Sequence, residues 1–340
     1  MQIVQSRRRF LATASLAGAT GLVGTARSLH AEPPPETTTV RLLNYGTIPC
    51  SAPVLQSVLG ELLRAEGFTD VRYADWQSND ASGARIVTGE VDFDYNFPAI
   101  HVAWIEAGVP IKVIAGAHSG CLELLGNGSV HKITDLKGKK VGVDGDDPND
   151  YTRVLVSLMV AYVGIDPDRD IQWISRPDTT AMELFVDGKV DAFLALPPQP
   201  QELHDRKVGR SILTSTDDPP WSQYFCCQLA ASAEYVSRYP VATKRVLRAT
   251  LKAEDLCASQ PKLVANRLVK SGFTDGYDYA FQSLTEVPFA RWREFDSEDS
   301  LRFYALRMRE AGMIKSSPRK IIADGADWRF INELKRELKG

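Results

Sequence analysis

Cysteine and histidine are both scarce: the chain of 340 residues holds five of each. Five cysteines cannot staple a chain of this length, so a disulfide-built scaffold is excluded. They stand at positions 50, 121, 226, 227 and 257 with no C-x-x-C pair, so the spacing of a zinc finger or ribbon is missing and no metal site is expected. In an oxidising compartment one or two disulfides can form, with at least one thiol left over. Long runs of lysine and arginine are absent, and 40 basic residues face 43 acidic ones for a formal net charge of −3. Little is left to attract a phosphate backbone, so nucleic acid is not an expected partner. Long apolar runs are missing too, which excludes a polytopic membrane chain. What is present is ordinary for a globular protein, with 44% apolar and 24% charged residues in a length that suits two domains.

Acidic residues are absent from the first 31 positions, which carry Arg7, Arg8, Arg9 and Arg27. An uncharged stretch rich in Ala, Gly, Thr and Leu follows the arginine cluster over residues 10–26. A basic segment followed by a modest apolar one is the layout of an export signal. The string SRRRFL at 6–11 resembles the twin-arginine consensus, with Ala12 where lysine is common, so export to the periplasm by that route is expected. Leu29, His30 and Ala31 offer a cleavage site before Glu32, and Pro33 to Pro35 make residues 32–37 a stiff linker. No cysteine lies near that point, so a lipid anchor is unsupported. Without residues 1–31 the chain keeps all 43 acidic residues and loses four basic ones, which takes the net charge to −7.

The remaining chain alternates short apolar runs with helical periodicity, the signature of α/β units. Strands are expected at 40–45, 71–73, 91–95 and 111–116, then at 141–143, 171–174, 190–196 and 211–213, with a crossing strand at 224–231. Helices are expected between them, including 53–66, where Val54, Leu55, Val58, Leu59, Leu62 and Leu63 recur at helical spacing. From Ala233 onward the pattern is nearly all helical. The two halves share one strand entry, GEVD at 89–92 and GKVD at 188–191.

Three strings carry a resemblance. LKGKKVGV at 136–143 resembles the entry to the second lobe of type II periplasmic solute-binding proteins. GKVDA at 188–192 resembles their G-x-V-D-A element, and YVSRYP at 235–240 resembles their Y-V-x-x-x-P element. Over residues 38–335 the chain is similar to the nitrate, sulfonate and taurine class, which also contains thiamine-precursor binders. The resemblance implies an α/β fold of two lobes joined by a two-segment hinge, with a helical C-terminal part. Lobe one would comprise 38–118 and 228–340 and lobe two 122–220, with crossovers near 117–127 and 221–228. It also implies a small-molecule ligand, an ABC permease with its ATPase as partners, a monomer and no cofactor.

Ligands of such sheets sit outside the strand carboxyl ends, where helix N-termini supply unpaired N–H groups. Thr47, Ile48 and Ser51 precede the first long helix, and Asn96 and Phe97 precede another; simple capping explains these residues equally well. His118 lies at the first crossover, and Trp221 and Tyr224 offer flat apolar surface at the second, where hinge packing is the competing role. The loop Asp144, Gly145, Asp146, Asp147, Pro148, Asn149, Asp150, Tyr151 departs from the oxyanion-binding pattern, which has glycine with serine or threonine here. Asp146 or Asp147 is expected to cap the helix, with Pro148 in its first turn, or else to pair with a cationic group of the ligand beside Tyr151. The repulsion of four aspartates disfavours simple anions and favours a zwitterionic, amine-bearing or neutral organic solute. An enzyme on the same fold, similar to aromatic sulfinate desulfinases, would use Cys50 as nucleophile with Arg85 and His101. A sensor that binds without transport is the third reading.

Overall fold

The computed structural model describes residues 32–44, 51, 54, 58–75, 83–274 and 276–338. The expected export signal, with Thr47, Ile48 and Cys50, lies outside the described residues. The chain divides into the units Met1–Pro34 and Pro35–Gly340, and the second carries the fold.

Ten strands are described: β1 Thr39–Asn44, β2 Asp70–Asp75, β3 Phe93–Asn96, β4 Ile111–Gly116, β5 Glu123–Gly126, β6 Lys140–Gly142, β7 Gln172–Ile174, β8 Ala192–Ala195, β9 Arg210–Thr214 and β10 Gln228–Ser232. The described helices are α1 Leu59–Ala65, α2 Ala84–Val87, α3 Pro98–Glu106, α4 Tyr151–Tyr162, α5 Ala181–Val186, α6 Gln199–Asp205 and α7 Ala233–Arg238. The rest follow as α8 Pro240–Ser259, α9 Pro261–Lys270, α10 Tyr277–Glu286, α11 Ser297–Glu310, α12 Pro318–Gly325 and α13 Arg329–Glu337. The strands form two sheets with one shared plan, ordered β2-β1-β3-β10-β4 and β7-β6-β8-β5-β9. In each, the first three strands are parallel. The fourth is antiparallel to both neighbours. That antiparallel strand, β10 or β5, is in each case the one entering from the other sheet, so each lobe is completed by the chain arriving from its neighbour.

Burial explains the strand composition. The central strand β8 is buried throughout, as sheets covered on both faces require. Alternation sends Leu124, Ala192 and Leu194 to the main core, and Leu125, Phe193 and Ala195 to a second core with Leu184, Phe185 and Leu203. The edge strand β2 is DVRYAD, half charged and half exposed, which suits an edge that must not recruit another strand.

The expected crossing strand at 224–231 starts later, at Gln228. Residues 224–227 pair instead with the outgoing crossover. The amides of Cys226 and Cys227 donate to the His118 carbonyl at 2.9 and 3.2 Å, and the amide of Ala117 donates to the Cys227 carbonyl at 2.9 Å. Ser119 and Phe225 form an antiparallel bridge. Further along, Ser215 Oγ accepts from the amides of Cys121 (3.0 Å) and Leu122 (2.8 Å). The two segments therefore run together as a short ribbon. Gly120 in this ribbon has φ +61°, and a Cβ there would meet the Thr216 backbone at 2.8 Å, so glycine serves both the turn and the close approach. The start of α11 anchors the ribbon: Ser297 Oγ accepts from the Gly116 amide at 2.8 Å and Ser300 Oγ from the Phe225 amide at 3.1 Å.

Candidate functional site

β3 ends at Asn96, and the next residue, Phe97, is the N-cap of α3. Asn96 Oδ1 accepts from the Phe97 amide at 2.8 Å, Phe97 adopts the extended N-cap conformation, and Pro98 opens the helix. From the other lobe, the loop after β6 leads to Tyr151 at the start of α4. The rings of Phe97 and Tyr151 stack with centroids 5.7 Å apart and planes 14° from parallel. Thus the carboxyl end of a strand in one lobe meets a helix N-terminus in the other, and Asn96, Phe97 and Tyr151 come together as one group.

Asp146 and Asp147 share the loop leading to Tyr151, yet neither caps α4. The cap is Asp150, whose carboxylate accepts from the amides of Thr152 (3.0 Å) and Arg153 (3.2 Å). The expected start is corrected because the Asp150 amide donates to the Asp147 carbonyl at 2.8 Å, a turn that keeps Pro148 outside the helix. Each aspartate of the loop has its own local bond. Asp144 Oδ1 accepts from the Ala181 amide at the start of α5 (2.8 Å), Asp146 from the Ser175 hydroxyl, and Asp147 from the Asn149 amide (2.8 Å). Asp144, Asp146 and Asp147 remain exposed, so their charge still faces solvent.

Burial raises the Asp150 carboxyl above the ordinary range, against its hydrogen bonds to Thr152 and Arg153 and with help from Asp144. A raised folded pKa makes its contribution to stability complete below the unfolded value and lost as pH rises through the folded value. Asp150→Asn keeps an N-cap acceptor and removes that pH slope, whereas Asp150→Ala loses the cap and about 1 kcal/mol. Urea unfolding across pH separates the two variants.

The other expected residues lie apart. Ser51 is buried. His118 is enclosed in the ribbon, between the rings of Tyr95 (6.0 Å) and Phe289 (5.2 Å). Trp221 is buried against Tyr162, Phe303 and Tyr304, and Tyr224 stacks on Phe303 at 3.9 Å. Both aromatics therefore pack the second crossover onto α11. The residues of the desulfinase-like reading are similarly engaged. His101 Nε2 and Asp94 Oδ2 are 2.8 Å apart in full burial, and Arg85 Nη1 donates to the Asp75 carbonyl at 2.6 Å.

Sequence reasoning did not single out a second meeting point of the lobes. Gln201 Nε2 on α6 donates to Glu286 Oε2 on α10 at 2.6 Å. Nearby, Glu123 and His204 lie 2.8 Å apart, and burial raises the Glu123 carboxyl despite that imidazole. These residues sit 80 or so positions apart with no motif linking them, and no strand was expected at 123–126 to flag a glutamate inside it.

Known proteins resemble this geometry. The bicarbonate-binding protein CmpA of Synechococcus is 26% identical over 136 residues, which is 40% of this chain and only 30% of that protein's length. The periplasmic nitrate-binding protein NrtA of Synechocystis superposes with a TM-score of 0.69 at 14% identity, covering 90% of each chain. The alkanesulfonate-binding protein SsuA of Xanthomonas axonopodis, bound to MOPS, superposes at 0.65 with 14% identity over 83% of this chain and 96% of its own. At such identities these two likenesses establish the fold, that of two α/β lobes. The sequence pattern of one family spans residues 34–269, well over half of the chain, and by that match this protein belongs to the NMT1-like family.

Proposed function

We propose that this chain is the solute-binding component of an ABC importer, exported to the periplasm through the twin-arginine route and acting as a monomer. It captures a small organic solute between its lobes and passes it, unconverted, to a permease and its ATPase. Residues 38–118 and 228–340 form one lobe and 122–220 the other, swinging about 117–127 and 221–228. The observation that carries this reading is the stacked pair Phe97 and Tyr151, one ring from each lobe, at a strand end and a helix start. Stacked rings across a closing interface exclude water and offer a face to an organic ligand.

The relatives above are named for small anions. The exposed carboxylates of Asp144, Asp146 and Asp147 beside Tyr151 oppose a simple anion and favour an amine-bearing solute of the taurine type or a heterocycle. Calorimetric titration with taurine, ethanesulfonate, nitrate and bicarbonate tests this. Taurine is expected to bind more tightly than ethanesulfonate, which lacks the amine. Phe97→Ala and Tyr151→Ala should each weaken binding about threefold to tenfold, the range of one aromatic contact. The double change Asp146→Asn with Asp147→Asn should narrow the gap between taurine and ethanesulfonate without lowering stability. Nitrate or bicarbonate as the tightest ligand would overturn the solute class. Uptake that survives deletion of the partner permease would overturn the transport role.

A further inference from the structure

The spacing of the cysteines excludes a zinc ribbon, yet the fold gathers three soft donors from distant positions. One ring nitrogen of His118 and the sulfurs of Cys121 and Cys227 all lie within 4.8 Å of one another. All three residues are enclosed, at 0%, 5% and 1% exposure. We propose that His118, Cys121 and Cys227 bind a thiophilic divalent cation, with Zn²⁺ as the natural occupant, and that the metal ties the two crossovers of the hinge together.

The ribbon holds the donors in place. The His118 carbonyl accepts from the amides of Cys226 and Cys227, and Ser215 Oγ accepts from the Cys121 amide. His118 Nδ1 lies 3.3 Å from the Ser119 carbonyl, which can only accept, so the proton belongs on Nδ1 and the lone pair on Nε2. A backbone carbonyl behind the imidazole is the usual outer support of a ligating histidine. Charge selects the ion. Two thiolates, one neutral imidazole and a divalent cation sum to zero, which a buried apolar setting tolerates, whereas a monovalent ion would leave a net negative charge. Binding converts two thiols to thiolates and releases two protons to solvent, with no change of oxidation state.

The test uses the full chain, reduced with a phosphine and titrated to equilibrium with Co²⁺ and then Zn²⁺. One Co²⁺ per chain should bind with a near-ultraviolet thiolate-to-cobalt charge-transfer band and release two protons, and Zn²⁺ should displace it. Cys121→Ser and Cys227→Ser should each remove the band, and Cys257→Ser, on α8, should leave it intact. Where a variant fails to fold, the unmodified chain still reports: Zn²⁺ should slow alkylation of Cys121 and Cys227 at least tenfold in mild denaturant. A folded, reduced chain that shows no band at excess Co²⁺ would overturn the proposal. So would a band that survives the two serine changes combined, or a Cys121–Cys227 disulfide in protein isolated with its thiols trapped.

Discussion

Gly116→Val is expected to leave little folded protein. A Cβ on Gly116 would lie 2.1 Å from Cδ2 and 2.2 Å from Cε2 of Phe225. The ring cannot step aside cheaply. The Phe225 amide donates to Ser300 Oγ, its backbone bridges Ser119, and its ring meets that of Phe295 edge-to-face with centroids 5.6 Å apart. Overpacking at a fixed site costs about 1–3 kcal/mol for a small addition. Gly116→Ala should reach the top of that range and the valine exceed it, against a total stability of about 5–15 kcal/mol. Phe225→Ala alone should cost about 3–5 kcal/mol for the lost aromatic burial. Combined with Gly116→Ala it should cost less than the sum of the two, because the clash then has no partner. Urea denaturation of the four chains measures this coupling. Gly116→Val unfolding at the midpoint of the unaltered chain would refute the account. The consequence is also functional, since Gly116 and Phe225 are where β4 leaves for the second lobe and the return segment comes back.

Asp94→Ala is expected to have the second largest effect, on both stability and ligand affinity. Asp94 and His101 are 1% and 0% exposed, so removing the carboxylate leaves the imidazole without it in a buried setting. The stranded imidazole donor costs about 1–3 kcal/mol, rising to about 3–5 kcal/mol where the pair is ionic. Asp94→Asn should cost less, because its amide oxygen still accepts from Nε2. The site feels the change through one turn of backbone: His101 belongs to α3, and its amide donates to the carbonyl of Phe97, the residue that stacks on Tyr151. Asp94→Ala should therefore weaken solute binding even under conditions where the chain remains folded. Equal affinity in folded Asp94→Ala and unaltered protein would separate the pair from the site.

The lobes were legible in the sequence because most strands are short, apolar runs set off by glycine turns or helix caps, although the charged edge strand β2 was only partly foreseen and β5 was not. GKVD at 188–191 precedes β8, and GEVD at 89–92 precedes β3. Both set a polar turn before an apolar strand buried at the middle of its sheet. The site was only partly legible. Asn96, Phe97 and Tyr151 stand at a strand end and helix starts, positions that periodicity locates within a residue or two. The choice of Asp150 over Asp146 or Asp147 as the cap was not legible, because all are good capping residues and local turn geometry decides among them. For Trp221 and Tyr224 the sequence left open whether they face a ligand or pack the hinge, and α11 decided for packing by placing Phe303 and Tyr304 against Trp221 and Phe303 against Tyr224.

By itself the sequence determined an α/β chain of two similar lobes with an acidic loop before one helix, since hydrophobic period and turn chemistry are local properties. Only the tertiary structure decided which distant residues meet: Phe97 with Tyr151, Gly116 with Phe225, and His118 and Cys121 with Cys227. Those meetings depend on the register of two crossovers about 100 residues apart, and no local pattern encodes it.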